Sequence, residues 1–132
     1  MNQQGRKVLI IDDVLEMEVF LRPLLSRERN DQVTFVDSGA KGLAAAQQDP
    51  PHLIILDLAM PDLDGYQVLR QLKTTPALQA VPVLVISALG LYDAGRQVRQ
   101  LGIEGYLSKP FGLQELLAAR DAVLKGEAFY HF

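Results

Sequence analysis

Three aspartates, a serine and a lysine are the residues of this sequence whose types and spacing could do chemistry. Asp12 and Asp13 directly follow one short apolar run, and Asp57 follows another. Ser87 follows a third run, and Lys109 comes shortly after the last one. Carboxylates held close together repel one another, and a bound divalent cation relieves that repulsion. A site of few oxygen ligands completed by water suits Mg²⁺.

The same residues could receive a phosphoryl group. That reaction needs an in-line nucleophile and positive charge near the oxygens of the transferred group. The Asp57 carboxylate is the candidate nucleophile, and the Lys109 ammonium would neutralise one phosphoryl oxygen as a point charge. The Ser87 hydroxyl would donate a hydrogen bond to another oxygen. Asp57, Ser87 and Lys109 are therefore the candidate reacting groups, and the three carboxylates are the candidate metal ligands.

A parallel β-sheet would place these residues together. Short apolar runs occur at 8–11, 33–36, 53–56 and 83–86, with a weaker one at 105–107. Several of them are continuous and rich in Val and Ile, which is typical of strands covered on both faces. Segments with helical periodicity follow the runs. The chain is therefore predicted to be an α/β domain with a single doubly wound sheet of five parallel strands and five helices. The flavodoxin-like strand order 2-1-3-4-5 would make the four strand ends that carry the polar residues neighbours.

The composition is that of an ordinary globular domain and argues against several classes of protein. The 132 residues fit one domain, and the net charge of −3 argues against a nucleic-acid-binding surface. The absence of cysteine excludes disulfides and thiolate metal sites. No apolar run is long enough to span a membrane, and the polar start shows no signal peptide. We therefore expect a cytoplasmic protein that contacts neither nucleic acid nor membrane directly.

The residues around these strand ends resemble the receiver domain of bacterial response regulators over residues 6 to 126. Each short motif alone is common, but the full set in this order, each member at a strand end, is highly specific. We assign residues 1–126 to the receiver domain and 127–132 to an aromatic tail, which either packs against the domain or begins a linker. The motifs are Asp12-Asp13, Leu56-Asp57-Leu58-Ala59-Met60-Pro61, Asp64-Gly65, Ser87-Ala88 and Tyr106 ahead of Lys109-Pro110-Phe111.

The resemblance implies how the site works. A phosphohistidine on a sensor histidine kinase or phosphotransfer protein would give its phosphoryl group to Asp57. Mg²⁺ would be held by Asp13, Asp57 and the backbone carbonyl of Ala59, with Asp12 acting largely through water. Apolar residues at Ala59 and Leu89 would slow the loss of the phosphoryl group to water. Such a domain is a signalling phosphoacceptor that catalyses only its own phosphorylation and dephosphorylation.

The resemblance also implies a switch and a signalling surface. Ser87 would move toward the phosphoryl group and Tyr106 would swing inward behind it, while the Lys109-Pro110 peptide would be cis. The surface at residues 90 to 125 comprises the fourth predicted helix, the fifth strand and the fifth helix. It would bind a downstream effector or an attached output domain, or form a homodimer.

Other functions fit the residues less well. A phosphorylation-independent binding module on the same scaffold stays open as the alternative, although such proteins usually lack an acid or the lysine of the site. An aspartyl phosphatase needs a second acid where this chain has Ala59. A calcium loop would place Met60 and Gln71 at its first and last ligand positions, which neither can fill. A flavin carrier would bind a phosphate after the first strand, where the acid pair would repel it.

Overall fold

The computed structural model describes residues 5–29, 31–58, 65–87, 100 and 102–131. Strands and helices alternate along these segments, as the apolar runs and helical periodicities predict. Their bounds are β1 (Lys7–Ile11), α1 (Leu15–Arg29), β2 (Gln32–Val36), α2 (Gly39–Gln48), β3 (Leu53–Asp57), α3 (Gly65–Thr74), β4 (Val83–Ser87), β5 (Gly105–Ser108), α4 (Leu113–Leu124) and β6 (Phe129–His131).

The strands form one parallel sheet in the order β2-β1-β3-β4-β5-β6. The predicted order 2-1-3-4-5 of the first five strands is confirmed. The predicted count of five strands and five helices is wrong, because the described residues form six strands and four helices. Most of the segment predicted as the fourth helix, residues 91–101, lies outside the described residues.

The sixth strand is made by the aromatic tail. After α4, Gly126 takes a left-handed conformation with φ of 84°, which ends the helix and turns the chain back toward the sheet. Phe129 then pairs with Gly105 in parallel register, and its amide donates a hydrogen bond to the Glu104 carbonyl oxygen at 3.1 Å. A run of three residues is too short to show a strand pattern in the sequence, so only five strands were expected.

The sheet is buried on both faces, and each face carries its own apolar cluster. Successive strand residues point to opposite faces, so Val8 and Ile10 join one cluster while Leu9 and Ile11 join the other. The helices α1 and α4 complete the first cluster, and α2 and α3 complete the second. Helices on both faces leave the carboxyl edge of the strands open as the place for a site. Among the described helices, none combines the length and apolar character that a bilayer crossing needs.

The start of α3 packs against the backbone that carries the candidate nucleophile. Gly65, the first residue of α3, is buried, and a Cβ built on it would lie 2.5 Å from the carbonyl oxygen of Leu58. No side chain fits at that distance from a main-chain oxygen, so the position requires glycine. The close approach fixes α3 directly against the residue that follows Asp57.

Candidate functional site

The carboxyl edge of the sheet brings the predicted site residues together. Asp57 is the last residue of β3 and Ser87 is the last residue of β4. Asp12 directly follows β1 and Lys109 directly follows β5. Asp12, Asp57 and Ser87 are buried, whereas Asp13 is exposed. The site is thus set into the sheet edge and keeps one of its carboxylates at the surface.

Three carboxylates converge at this edge. One oxygen each from Asp12, Asp13 and Asp57 lies within 4.8 Å of the others, a spacing at which one cation can contact all three. Every ligand atom is an oxygen, which favours Mg²⁺ or Ca²⁺ over softer metals. The set of donors therefore fits a hard divalent cation. Ala59, whose carbonyl is the remaining predicted ligand, lies outside the described residues.

Lys109 reaches into the acid cluster. Its Nζ lies 3.1 Å from Asp57 Oδ2 and 3.4 Å from Asp12 Oδ2. Its backbone amide donates to the carbonyl oxygen of Ser87 at 2.9 Å, which ties the loop after β5 to the end of β4. The Lys109-Pro110 peptide is cis, as the resemblance implied. Burial alone would lower the pKa of Lys109, but the Asp57 and Asp12 carboxylates outweigh it and raise that pKa, so the side chain stays an ammonium.

The buried Asp12 carboxyl has a perturbed pKa. Its burial raises its pKa, and the neighbouring Asp57 carboxylate adds to that rise. Two groups act in the opposite direction: the Val14 amide, which donates to Asp12 Oδ1 at 2.9 Å, and the Lys109 ammonium. The net result is a raised pKa. Before a cation binds, the site therefore holds more negative charge than its own donors can stabilise.

The two predicted switch residues are neighbours. Tyr106 is fully buried in β5, and its hydroxyl lies beside the side chain of Ser87. Burial raises the pKa of Tyr106, and nearby Tyr66 and Asp57 add to the rise, while the neighbouring Ser87 side chain opposes it. The phenol is therefore neutral and keeps its proton for hydrogen bonding. Tyr106 is already buried in this structure, and its movement as a switch residue stays a prediction.

A cleft beside the acid cluster was not expected from the sequence. Lys41 Nζ pairs with Asp37 Oδ1 at 2.9 Å on one side of it, an i,i+4 spacing that could have indicated the contact. The neighbouring Ser38 side chain caps the N-terminus of α2 by accepting a hydrogen bond from the Lys41 amide at 3.2 Å. The cleft has a volume of about 400 Å³ and is lined by Asp12, Asp13, Glu18, Phe35, Val36, Asp37 and Lys41.

The family model of the response regulator receiver domain matches residues 8–121. The chain belongs to this family. As a receiver domain it acts in two-component signal transduction, where receiver domains are the phosphoacceptors of a phosphorelay. Three features at the sheet edge have to account for that role: the acid cluster, the buried aspartate at the end of β3 and the lysine after β5.

Curated relatives and solved structures of receiver domains match nearly the full chain. Protein PilG of Pseudomonas aeruginosa is 38% identical over 125 residues, which cover 92% of this chain and 91% of PilG. The probable chemotaxis protein CheY of Rhizobium etli is 32% identical over 117 residues, covering 89% of this chain and 91% of that protein. A putative response regulator from Chloroflexus aurantiacus has a similar structure, with a TM-score of 0.85 at 28% identity over 92% of this chain and 99% of that one.

Proposed function

We propose that Asp57 accepts a phosphoryl group from a phosphohistidine of a sensor histidine kinase or phosphotransfer protein. The observation that carries the proposal is the contact of 3.1 Å between Lys109 Nζ and Asp57 Oδ2, beside two further carboxylates. Three carboxylates (−3) and one ammonium (+1) give the site a net charge of −2 when all are ionised. A purely structural ion pair needs no such excess, whereas a cation site does.

The residues of the site divide the work of phosphoryl transfer. Bound Mg²⁺ would supply positive charge close to the phosphoryl oxygens, and Asp12, Asp13 and Asp57 would hold it together with the Ala59 carbonyl. One Asp57 oxygen attacks the phosphorus atom. The bond from phosphorus to the donor's imidazole nitrogen breaks, and its electron pair stays on that nitrogen. Lys109 neutralises a phosphoryl oxygen as the new aspartyl phosphate forms.

Ser87 and Tyr106 would report the phosphoryl group to the rest of the domain. A serine hydroxyl has one proton to donate and two lone pairs to accept with. Ser87 can therefore donate to a phosphoryl oxygen on Asp57 while it accepts a hydrogen bond from the Tyr106 hydroxyl. The phosphoryl group then favours the buried position of Tyr106, which shifts the population of states of the domain.

The signal would leave through the surface at residues 90 to 125, which includes β5 and α4. A downstream effector, an attached output domain or a second copy of the chain would bind there, in the cytoplasm. Both short and longer relatives are consistent with these alternatives. The match covers 91% of PilG, but only 53% of the longer transcriptional regulatory protein GltR of Pseudomonas aeruginosa.

The proposal is tested with a small phosphodonor on the full chain. Phosphoramidate with Mg²⁺ should add one phosphoryl group, detected by intact mass spectrometry, and chelation of Mg²⁺ should prevent the reaction. Asp57→Asn should abolish it, while the matched control Asp49→Asn should react normally, because Asp49 pairs with Lys7 away from the site. A folded wild type that gains no phosphoryl group would instead support the phosphorylation-independent binding module.

A further inference from the structure

We propose that the C-terminal strand β6 is a regulatory element that holds the switch residue Tyr106 in its buried position and thereby raises the affinity of the site for a phosphoryl group. The inference rests on the proposed function of Asp57 and extends it to a part of the chain beyond residues 8–121, which the family model matches. The tail would then act on the switch residues Ser87 and Tyr106 of its own chain.

β6 lies along the edge of β5, beside Tyr106. Tyr106 and Tyr130 are register partners in the parallel pair. Register partners on neighbouring strands point their side chains to the same face of a sheet. Tyr130 therefore stands next to Tyr106 on the face that α2 and α3 cover. Without β6, β5 would be the edge strand of the described sheet, and Tyr106 would border an open edge.

Three features anchor β6. The Phe129 amide donates to the Glu104 carbonyl oxygen at 3.1 Å, and the Tyr130 hydroxyl donates to the Ile103 carbonyl oxygen at 2.8 Å. Phe129 packs on the opposite face, against the apolar cluster that α4 completes. The strand is thus held by main-chain pairing, by a side-chain hydrogen bond and by packing.

The start of β5 is shaped to receive β6. A Cβ on Gly105 would lie 2.8 Å from Val123 Cγ2 and 3.1 Å from the carbonyl oxygen of Phe129. The first distance is shorter than packed atoms show and the second is a tight contact, so a side chain at Gly105 would displace the Val123 side chain and crowd the Phe129 backbone. The glycine at this position lets the tail strand approach.

A short chain of contacts links β6 to the phosphoryl site. Tyr130 stands beside Tyr106 as its register partner, the Tyr106 hydroxyl lies beside the Ser87 side chain, and Ser87 would donate to the phosphoryl group on Asp57. A side chain on an edge strand leaves the core most easily toward the open edge, and β6 closes that route for Tyr106. Docking of β6 and binding of a phosphoryl group therefore favour the same state. Coupling of this kind is reciprocal, so each event must strengthen the other by the same factor.

The test uses the full chain and beryllofluoride with Mg²⁺ as the probe of the phosphoryl site. Tyr130→Ala removes the ring beside Tyr106 together with the hydroxyl, and Tyr130→Phe removes only the hydrogen bond to Ile103. Tyr130 is 36% exposed, so neither change takes a side chain out of the core. Glu127→Gln, an exposed change in the same tail, is the matched control.

If only about a fifth of the Tyr130→Ala molecules keep Tyr106 buried, the apparent Kd for beryllofluoride rises about fivefold. Tyr130→Phe should give a smaller rise, and Glu127→Gln should give none. In 3-fluorotyrosine-labelled protein, the fluorine signal of Tyr106, assigned with Tyr106→Phe, should shift in the metal-free Tyr130→Ala variant. Reciprocity adds that beryllofluoride should slow hydrogen exchange of the Phe129 amide in the wild type.

Two results overturn the inference, and they differ in what they say of the site. If both Tyr130 variants bind beryllofluoride with the wild-type Kd, and the exchange of the Phe129 amide ignores the ligand, β6 is not coupled to the site and the proposed function stands. If the wild type itself fails to bind beryllofluoride, the proposed function fails and the inference fails with it.

Discussion

Replacing Lys109 with methionine should slow phosphorylation of Asp57 by about two orders of magnitude. The change keeps a long side chain but removes the ammonium 3.1 Å from Asp57 Oδ2. Two unit charges at that distance attract by roughly 5 kcal/mol at an effective dielectric constant of about 20. The Lys109 side chain is 20% exposed, so water screens part of this attraction, and the cost of desolvating the ammonium offsets more.

We take about 3 kcal/mol as the net stabilisation lost from the transition state, which corresponds to about a hundredfold in rate. Lys109→Arg is the matched variant that keeps the charge. It replaces the compact ammonium by a planar fork that suits the site less well, so its rate should lie between those of the wild type and Lys109→Met.

The assay follows the gain of one phosphoryl group from phosphoramidate over time, by intact mass spectrometry at saturating Mg²⁺. Circular dichroism of both variants confirms that they are folded. If folded Lys109→Met reacts at the wild-type rate, the ammonium does not act on the transferring group, and the contact with Asp57 is only structural.

Three further predictions concern packing, charge and the loss of the phosphoryl group. Gly65→Ala should lower the free energy of unfolding in urea by about 3 kcal/mol, because the new methyl group meets the Leu58 backbone. Gly112→Ala, where the new methyl group would make only an ordinary contact with Glu115, should cost no more than about 1 kcal/mol, and equal losses would contradict the packing argument. In metal-free buffer at neutral pH, Asp12→Asn should be more stable than the wild type, because burial raises the pKa of Asp12 above 3.8 and its ionised form costs stability. The folded state then binds more protons than the unfolded state, so the difference should shrink as the pH falls toward 3.8, and a less stable variant at neutral pH would refute this assignment. The wild type should lose its phosphoryl group more slowly than Ala59→Asn, since alanine cannot orient an attacking water, and equal or faster loss from the wild type would rule this out.

The sequence was sufficient to predict the strands and the groups at their ends. Continuous runs of Val, Ile and Leu coincide with β1, β3 and β4 because a strand covered on both faces has no polar side to interrupt it. Asp57 and Ser87 end their strands as predicted. The distance between Lys109 and Asp57 could not follow from spacing alone, because 52 residues separate them along the chain. It depends on the order of the strands, which was borrowed from the flavodoxin-like fold and did not follow from the residues.

The sequence was not sufficient to predict β6. Its three residues are too few to show a helical or a strand pattern. Its pairing depends on Gly105 and Glu104, more than twenty residues earlier in the chain. The closeness of Tyr106 and Ser87 could not be predicted from residue patterns either, since it requires knowing that β4 and β5 are neighbours in the sheet.

The site of phosphorylation is the measurement that tests the central claim most directly. The full chain would be treated with phosphoramidate and Mg²⁺ and then with borohydride, which reduces an aspartyl phosphate to homoserine. Fragmentation mass spectrometry would locate the homoserine. We predict it at Asp57 and nowhere else. Homoserine at Asp12 or Asp13, or none at all in folded protein, would contradict the proposal that Asp57 is the phosphoacceptor.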